Sequence, residues 1–193
     1  MPGHPKSMPS LLRVSIPPAT LSGLCAQEPG AQAEAFRLFS GPVYTMAQRI
    51  LGDRHMAEEV TQETFIDVFA KVGSLREPER FAAWVRSVAV NRCLMVLRSP
   101  WQSRRAPEDF DEPAAELEDV TRGHDVLTAL DSLESDARMV VWLYCVEGYG
   151  HDEIAALFYK SVSFSKSRLQ RALATLSRRC DPSWLVAVSG KGD

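Results

Sequence analysis

The tightest constraint on this chain is the spacing of its apolar residues, which keeps a helical period on both sides of one stretch that has none. Val85, Val88, Ala89, Cys93, Val96 and Leu97 stand at offsets of three, four, eight, eleven and twelve, the spacing that lines one face of an α-helix. Val60, Thr64, Val68 and Val72 form another stripe with Phe65 and Phe69 beside it, and Phe36, Phe39, Val43, Met46 and Ile50 a further one. These stripes predict a helix from near Glu34 to a stop at Gly52, kinked at Pro42, a second from His55 to Val72 ended by Gly73, and a third from Phe81 closed by Pro100. Beyond residue 122, Val126 to Leu133, Ala137 to Val146 and His151 to Phe158 predict three short helices, with Gly148 and Gly150 marking a turn. No strand-like alternation survives over four or more residues, so the expected fold class is all-α.

Residues 100–122 break the period. They hold Pro100, Pro107 and Pro113 and seven acids against three bases, a composition that solvates rather than packs. The expected organisation is therefore a disordered extension over 1–33, where six prolines fall, a first helical domain over 34–99, a flexible acidic linker over 100–122, a second helical domain over 123–180, and a tail over 181–193. The four cysteines and four histidines form no CxxC pair and no shared cluster, which predicts neither a metal site nor a disulfide framework, and no cofactor. No apolar run is long enough to cross a bilayer and the N-terminus makes no convincing signal peptide, so a reduced cytoplasmic setting without membrane insertion is expected. Paired carboxylates, or a nucleophile beside a base, are absent at usable spacing, which predicts that the chain is not an enzyme.

From Ile154 to Cys180 there are six bases (Lys160, Lys166, Arg168, Arg171, Arg178, Arg179) and no acid, although the whole chain carries a net charge of −3. The apolar residues threaded through this stretch follow a helical period broken by a polar turn at 160–163. That pattern suits a helix-turn-helix whose basic second helix enters the major groove of DNA. An ordinary solvated helix face fits the charge equally well.

The motifs then resemble those of one family. Gly52-Asp53 is followed by Ala57-Glu58-Glu59-Val60-Thr61-Gln62-Glu63-Thr64-Phe65, and later by Phe81-x-x-Trp84-Val85-x-x-Val88-Ala89-x-Asn91. The second half carries Leu133, Arg138, Glu147-Gly148, Glu153-Ile154-Ala155 and Lys166-Ser167-Arg168-Leu169. Together, over about residues 34–178, these are similar to the small bacterial sigma factors of the extracytoplasmic-function group. The resemblance implies a promoter-specificity subunit that binds the largest-subunit clamp of core RNA polymerase through Glu59, Gln62, Glu63 and Phe65. It implies contacts of Arg76, Arg80, Arg86, Asn91 and Arg92 with the minus-10 promoter DNA, with Arg98 beside them. It implies that Lys166, Ser167, Arg168, Gln170 and Arg171 contact the minus-35 element, and it leaves room for an anti-sigma factor as a further partner. Taken alone, the acids of the second helix also read as a solvated face, and Phe81 and Trp84 read as core.

Two positions leave the family pattern. The turn before the basic helix, where the family has Gly, carries Tyr159, and a non-Gly residue in a left-handed turn costs about 1–2 kcal/mol. The apolar position before Ser167-Arg168 is Ser165, whose buried hydroxyl costs roughly 1–3 kcal/mol if it lacks a partner. Phe164 turning inward instead would rotate the helix by about 100°. The expectation is that this domain reads an unusual upstream element or binds it weakly. A sigma-like protein that occupies polymerase without initiating, and a stand-alone helix-turn-helix regulator, stay open as alternatives.

Overall fold

The structure, a computed structural model, describes residues 14–75, 77–99 and 129–178. The linker expected over 100–122 and the tail over 181–193 lie outside the described residues, as does Arg76. Every regular element among the described residues is helical.

The chain enters helices earlier than its prolines suggest. Helix α1 (Pro18–Cys25) and helix α2 (Pro29–Leu51) both begin at a proline, where the missing amide would have had no intrahelical partner and the fixed φ already fits. Leu21 and Leu24 of α1 are buried, and Thr20 Oγ1 donates to Glu34 Oε2 of α2 at 2.6 Å. Residues 18–33 therefore belong to the folded body, which corrects the expected disordered extension over that range; residues 1–13 lie outside the described residues. Helix α2 runs through Pro42 and ends at Gly52 in the left-handed conformation (φ 70°).

Helix α3 (Arg54–Lys71) starts at Asp53, whose Oδ1 accepts the Met56 amide at 2.9 Å, the side-chain cap that satisfies a first-turn donor. Two 3₁₀ turns, Val72–Ser74 and Pro78–Arg80, lead into helix α4 (Phe81–Arg98). Phe39 of α2 meets Phe81 edge to face, centroids 5.3 Å apart, and Val60, Val68, Val85, Ala89 and Cys93 close the core around them. Thr61 and Thr64 are buried on α3 without cost, because each hydroxyl donates to the carbonyl one turn back at 2.7 Å.

Among the described residues of the second domain, 129–131 are helical and helix α5 (Ser135–Val141) follows, widening into a π-helical turn over Trp142–Val146. Helix α6 (His151–Phe158) and helix α7 (Val162–Leu176) follow. Glu153 Oε2 accepts the Gly150 amide at 2.7 Å and so fastens the start of α6. The two domains pack together: α2 meets α5, α4 meets α6, and the buried residues form one continuous cluster.

Gly52 lies at that contact. A Cβ there would run into the Arg138 guanidinium, on a backbone that side chains already disfavour. Gly52→Ala should therefore cost at least the 1–2 kcal/mol of a left-handed alanine, roughly, and lower the melting temperature by about 2–8 °C. In an Arg138→Ala background the same substitution should cost less, because only the backbone penalty remains; calorimetry of the four proteins measures the difference.

Candidate nucleic-acid and polymerase interface

On α3, Glu59 and Gln62 are exposed and Glu63 is half-buried. Glu63 is paired across to α4, its Oε2 lying 3.2 Å from Arg92 Nη1. Phe65 does not border this surface. It is 3% exposed and sits between Phe36 (centroids 4.8 Å, edge to face) and Phe69 (5.6 Å). The apolar residue that reaches solvent there is Ile66, 61% exposed and one turn on from Gln62 and Glu63. The register held the signal: Phe65 follows the inward row of Thr61, Thr64 and Val68, and Ile66 points away from it.

The three cations and one amide assigned to the outer faces of α4 do not share one surface. Val90 and Leu94 are buried as well as Val85, Ala89 and Cys93, so the covered arc is wider than the first stripe implies, and at about 100° per residue Arg86 and Arg92 fall within or beside it. Arg92 turns to α3, where Nε donates to Asp67 Oδ2 at 2.8 Å, a second bond from Nη2 joins it, and Lys71 Nζ holds the other oxygen at 2.7 Å. Hydrogen bonds from Lys71 and then Arg92 hold the Asp67 carboxyl below the usual carboxylate range. Arg86 turns to the second domain, donating from Nη1 to the Glu147 carbonyl at 2.5 Å while its guanidinium lies 4.5 Å from the centre of the Tyr149 ring. Asn91 and Arg98 remain on the open arc. Arg98 donates to the Leu157 carbonyl of α6 and lies 4.8 Å from the Tyr159 ring centre, and Asn91, Arg98, Tyr149, Glu153 and Tyr159 line the cleft between the domains. Arg80 is exposed and pairs with Glu77, Nε to Oε2 2.5 Å. Phe81 is core and Trp84 half-buried against it, centroids 6.0 Å apart.

Helix α7 divides cleanly. Ser165, Leu169, Ala172 and Leu176 are buried within an arc of about 60°, and Lys166, Gln170 and Arg171 are exposed on the other side within about 140°. Ser167, half-buried, donates to the Phe164 carbonyl at 3.1 Å. Arg168 lies between the two arcs and is taken by the domain's own acids: Nη1 is 2.9 Å from Glu134 Oε2 and Nη2 3.8 Å from Asp136 Oδ2. It fastens α7 to the start of α5 instead of pointing outward.

The two departures are resolved differently. Tyr159 adopts the left-handed conformation (φ 53°, ψ 42°), with its own amide donating to Ala156 O and the Lys160 amide to Ala155 O, the bonding of a Schellman turn that favours Gly. Its ring is 84% exposed against Arg98. Ser165 is fully buried, and its Oγ lies 3.0 Å from His151 Nδ1, so the hydroxyl does not lack a partner. Phe164 does not turn inward either; it packs on Phe158 at the flank, centroids 5.5 Å apart. The inward-rotated helix is thereby excluded.

Burial pushes the Cys93 thiol up to about 12 and the Cys145 thiol up to about 11, leaving both inert as nucleophiles at neutral pH. No helix among the described residues is long and apolar enough to cross a membrane.

A family model for sigma-70 region 2 matches residues 35–104, and one for sigma-70 region 4 matches residues 124–176. The ECF RNA polymerase sigma factor SigE of Mycolicibacterium smegmatis is 35% identical over 147 residues, covering 72% of this chain and 57% of that protein. The probable RNA polymerase sigma factor RfaY of Xanthomonas campestris pv. campestris is 26% identical over 184 residues, 90% of this chain and 45% of that protein. The chain thus spans about half the length of these two relatives. Among solved structures, the sigma factor RpoE from Bartonella quintana, in complex with the anti-sigma factor NepR, shares the fold with a TM-score of 0.56 at 21% identity, covering 76% of this chain and 94% of that one.

Two outcomes test the local chemistry. Tyr159→Gly should relieve the left-handed strain and stabilise the protein by up to about 1 kcal/mol, the gain reduced by the lost ring contact with Arg98; thermal melting checks the sign. Burial, with Lys166 adding and Asp152 opposing, holds the His151 imidazole below its ordinary proton affinity. The unfolded chain then takes up that proton first, so stability should fall as pH drops below about 6.5 and level off once the folded imidazole is charged. The difference in melting temperature between wild type and His151→Asn, followed from about pH 7.5 to about pH 5.5, should shrink accordingly.

Proposed function

The chain belongs to the sigma-70 family, in its extracytoplasmic-function group, and on that premise we propose that it binds core RNA polymerase and directs promoter-specific initiation. The exposed row of Lys166, Gln170 and Arg171 on α7, backed by a buried row that fixes the helix, carries the proposal. An outward basic face on the second helix of a helix-turn-helix fits the major groove, where such side chains reach base edges and phosphates. This is the minus-35 reader of the proposed function, with Arg168 as its internal fastening. Glu59, Gln62 and Glu63, with Ile66, form the surface offered to the polymerase clamp. Asn91 and Arg98 are the α4 residues best placed for the minus-10 strand, and Arg76 and Arg80 of the preceding loop stay in the proposal as phosphate contacts.

The packing of the two domains constrains how this works. Arg86 and Arg98 are engaged by Glu147, Tyr149, Leu157 and Tyr159, so promoter binding in the proposed manner requires the second domain to leave α4, with polymerase contacts replacing those lost. The protein carries no chemical step of its own; the polymerase performs nucleotide addition. A cytoplasmic setting follows from that partnership. The complex of the related RpoE fold with an anti-sigma factor supports a protein of that class as a further partner.

Reconstitution with core polymerase, followed by mapping of transcript starts on fragmented genomic DNA, tests the reading: defined starts sharing an upstream element are expected. Stable core binding without defined starts would instead favour a protein that occupies polymerase without initiating. Arg171→Ala should weaken use of the mapped promoters by about 5–150-fold if it reads a base, or reduce the salt slope by about one if it contacts phosphate.

A further inference from the structure

At the position where α7 should present an apolar residue to the core, this chain has built a directional contact. Ser165 is fully buried, lies in the second turn of α7, and its Oγ is 3.0 Å from Nδ1 of His151, the first residue of α6. The imidazole is itself held: the Tyr144 ring of the π-helical turn stacks on it, centroids 4.5 Å apart and planes 20° from parallel. One side chain thus joins the π-helical turn, α6 and α7.

The other contacts of α7 restrain its rotation less. Leu169, Ala172 and Leu176 are held by apolar burial, which has no direction. Arg168 is fastened by ion pairs to the exposed Glu134 and half-buried Asp136, and exposed pairs of this kind are soft. A hydrogen bond from a fully buried hydroxyl to a half-buried imidazole is stricter, since it weakens steeply once the angle or distance leaves a narrow range. The sensitivity needed is small: at the radius of the side-chain tips, about 5–6 Å from the helix axis, a rotation of about 20° moves Lys166, Gln170 and Arg171 by about 2 Å. A base-edge hydrogen bond does not survive such a shift.

We propose that His151 and Ser165 are positioning residues that together set the rotation of α7 about its axis, and thereby the base preference of this helix on duplex DNA. The inference rests on the proposed reading of the upstream duplex by α7. It accounts for the out-of-pattern Ser165, which in place of a generic apolar contact supplies a register pin that only a matching partner on α6 can complete.

Three variants separate the bond from the ring. His151→Phe keeps a ring to stack on Tyr144 and loses the bond; His151→Asn loses the ring but places an amide atom where Nδ1 stands; Ser165→Ala removes the hydroxyl without adding bulk. Each full-length protein is reconstituted with core polymerase and used to select from a library of duplexes randomised over the upstream element, beside a control template with a pre-opened minus-10 region. Wild type should select a defined upstream element. His151→Phe and Ser165→Ala should change the preferred base, or lower the preference at least tenfold, at one or more positions, His151→Asn should retain the wild-type preference, and all four should initiate equally from the control. The inference is overturned if His151→Phe and Ser165→Ala keep the wild-type preference and only their melting temperatures fall, or if His151→Asn behaves like His151→Phe. Should wild type itself show no upstream preference while initiating from the control, the reading of duplex by α7 fails first and takes the inference with it.

Discussion

Helix α2 packs against α1, α3, α4 and α5, and the other elements are arranged around its burial. Phe39, Val43, Met46, Ala47 and Ile50 are all completely covered, which removes several hundred Å² of apolar surface from water by the usual side-chain areas, roughly, and supplies the directionless attraction that holds the helices together. One helix thus serves two domains that are separated in sequence by more than twenty residues of unpatterned chain. Because its C-terminal end must meet α5 closely, the stop at Gly52 has to satisfy two demands at once: a left-handed backbone and room for the Arg138 guanidinium. Arg49 and Arg138 both lose proton affinity through burial, with Asp131 opposing the loss in each case, so the same contact that joins the apolar surfaces also gathers charge at its rim.

Within that frame, the arginines are sorted by what lies next to them. A guanidinium beside a covered arc finds carboxylates or carbonyls of its own molecule; one on the open arc stays available. Arg92 and Arg168 are structural in this sense, each crossing to an acidic helix within its own domain. Arg86 and Arg98 cross between domains. Lys166 and Arg171 are the cations of α7 presented outward beside Gln170, while Arg168 of the same acid-free stretch is withdrawn to Glu134 and Asp136. The charge run was real as composition, yet the surface it forms is selected by the rotation of the helix that bears it.

That distinction marks what the amino-acid order could and could not disclose. Some helix boundaries were legible because period and stops agree: Gly52 after α2 and the span from His151 to Phe158 both hold in the structure, whereas α2 begins at Pro29 and not near Glu34. The prolines of the first thirty residues misled because Pro is read as a breaker when it can equally begin a helix, and Pro18 and Pro29 do so. The width of a buried arc was not legible. Val90 and Leu94 are covered because other helices flank α4 on further sides, a tertiary fact, and with them Arg86 moves from an outer to an inner role. For Ser165 the residue type announced a problem whose solution, His151, lies fourteen positions upstream on another helix. Phe65 shows the opposite case, since its inward register was already present in the spacing.

The strained turn at Tyr159 gains its meaning from the closed packing. A glycine there would cost nothing in backbone energy, and it would leave Arg98 with a carbonyl and no ring. The tyrosine carries about 1–2 kcal/mol of strain and returns only about 0.5–1 kcal/mol through a cation–π contact at so exposed a site. That strain lies in the turn between α6 and α7 and is the same whether the domains are together or apart, so only the ring contact with Arg98 favours the closed form, and the residue makes a weak latch. Arg86 makes a firmer one, with a charge-assisted hydrogen bond and a buried ring. Both latches grip α4, the helix that carries residues proposed to meet the minus-10 strand, so a partner that binds only the open form has its apparent affinity reduced by the fraction of molecules that are closed. A closed form favoured by about 3 kcal/mol would lower that affinity by more than a hundredfold. The polymerase contact proposed for the face of α3, which is exposed at Glu59 and Gln62, would form before opening and meet that cost in stages.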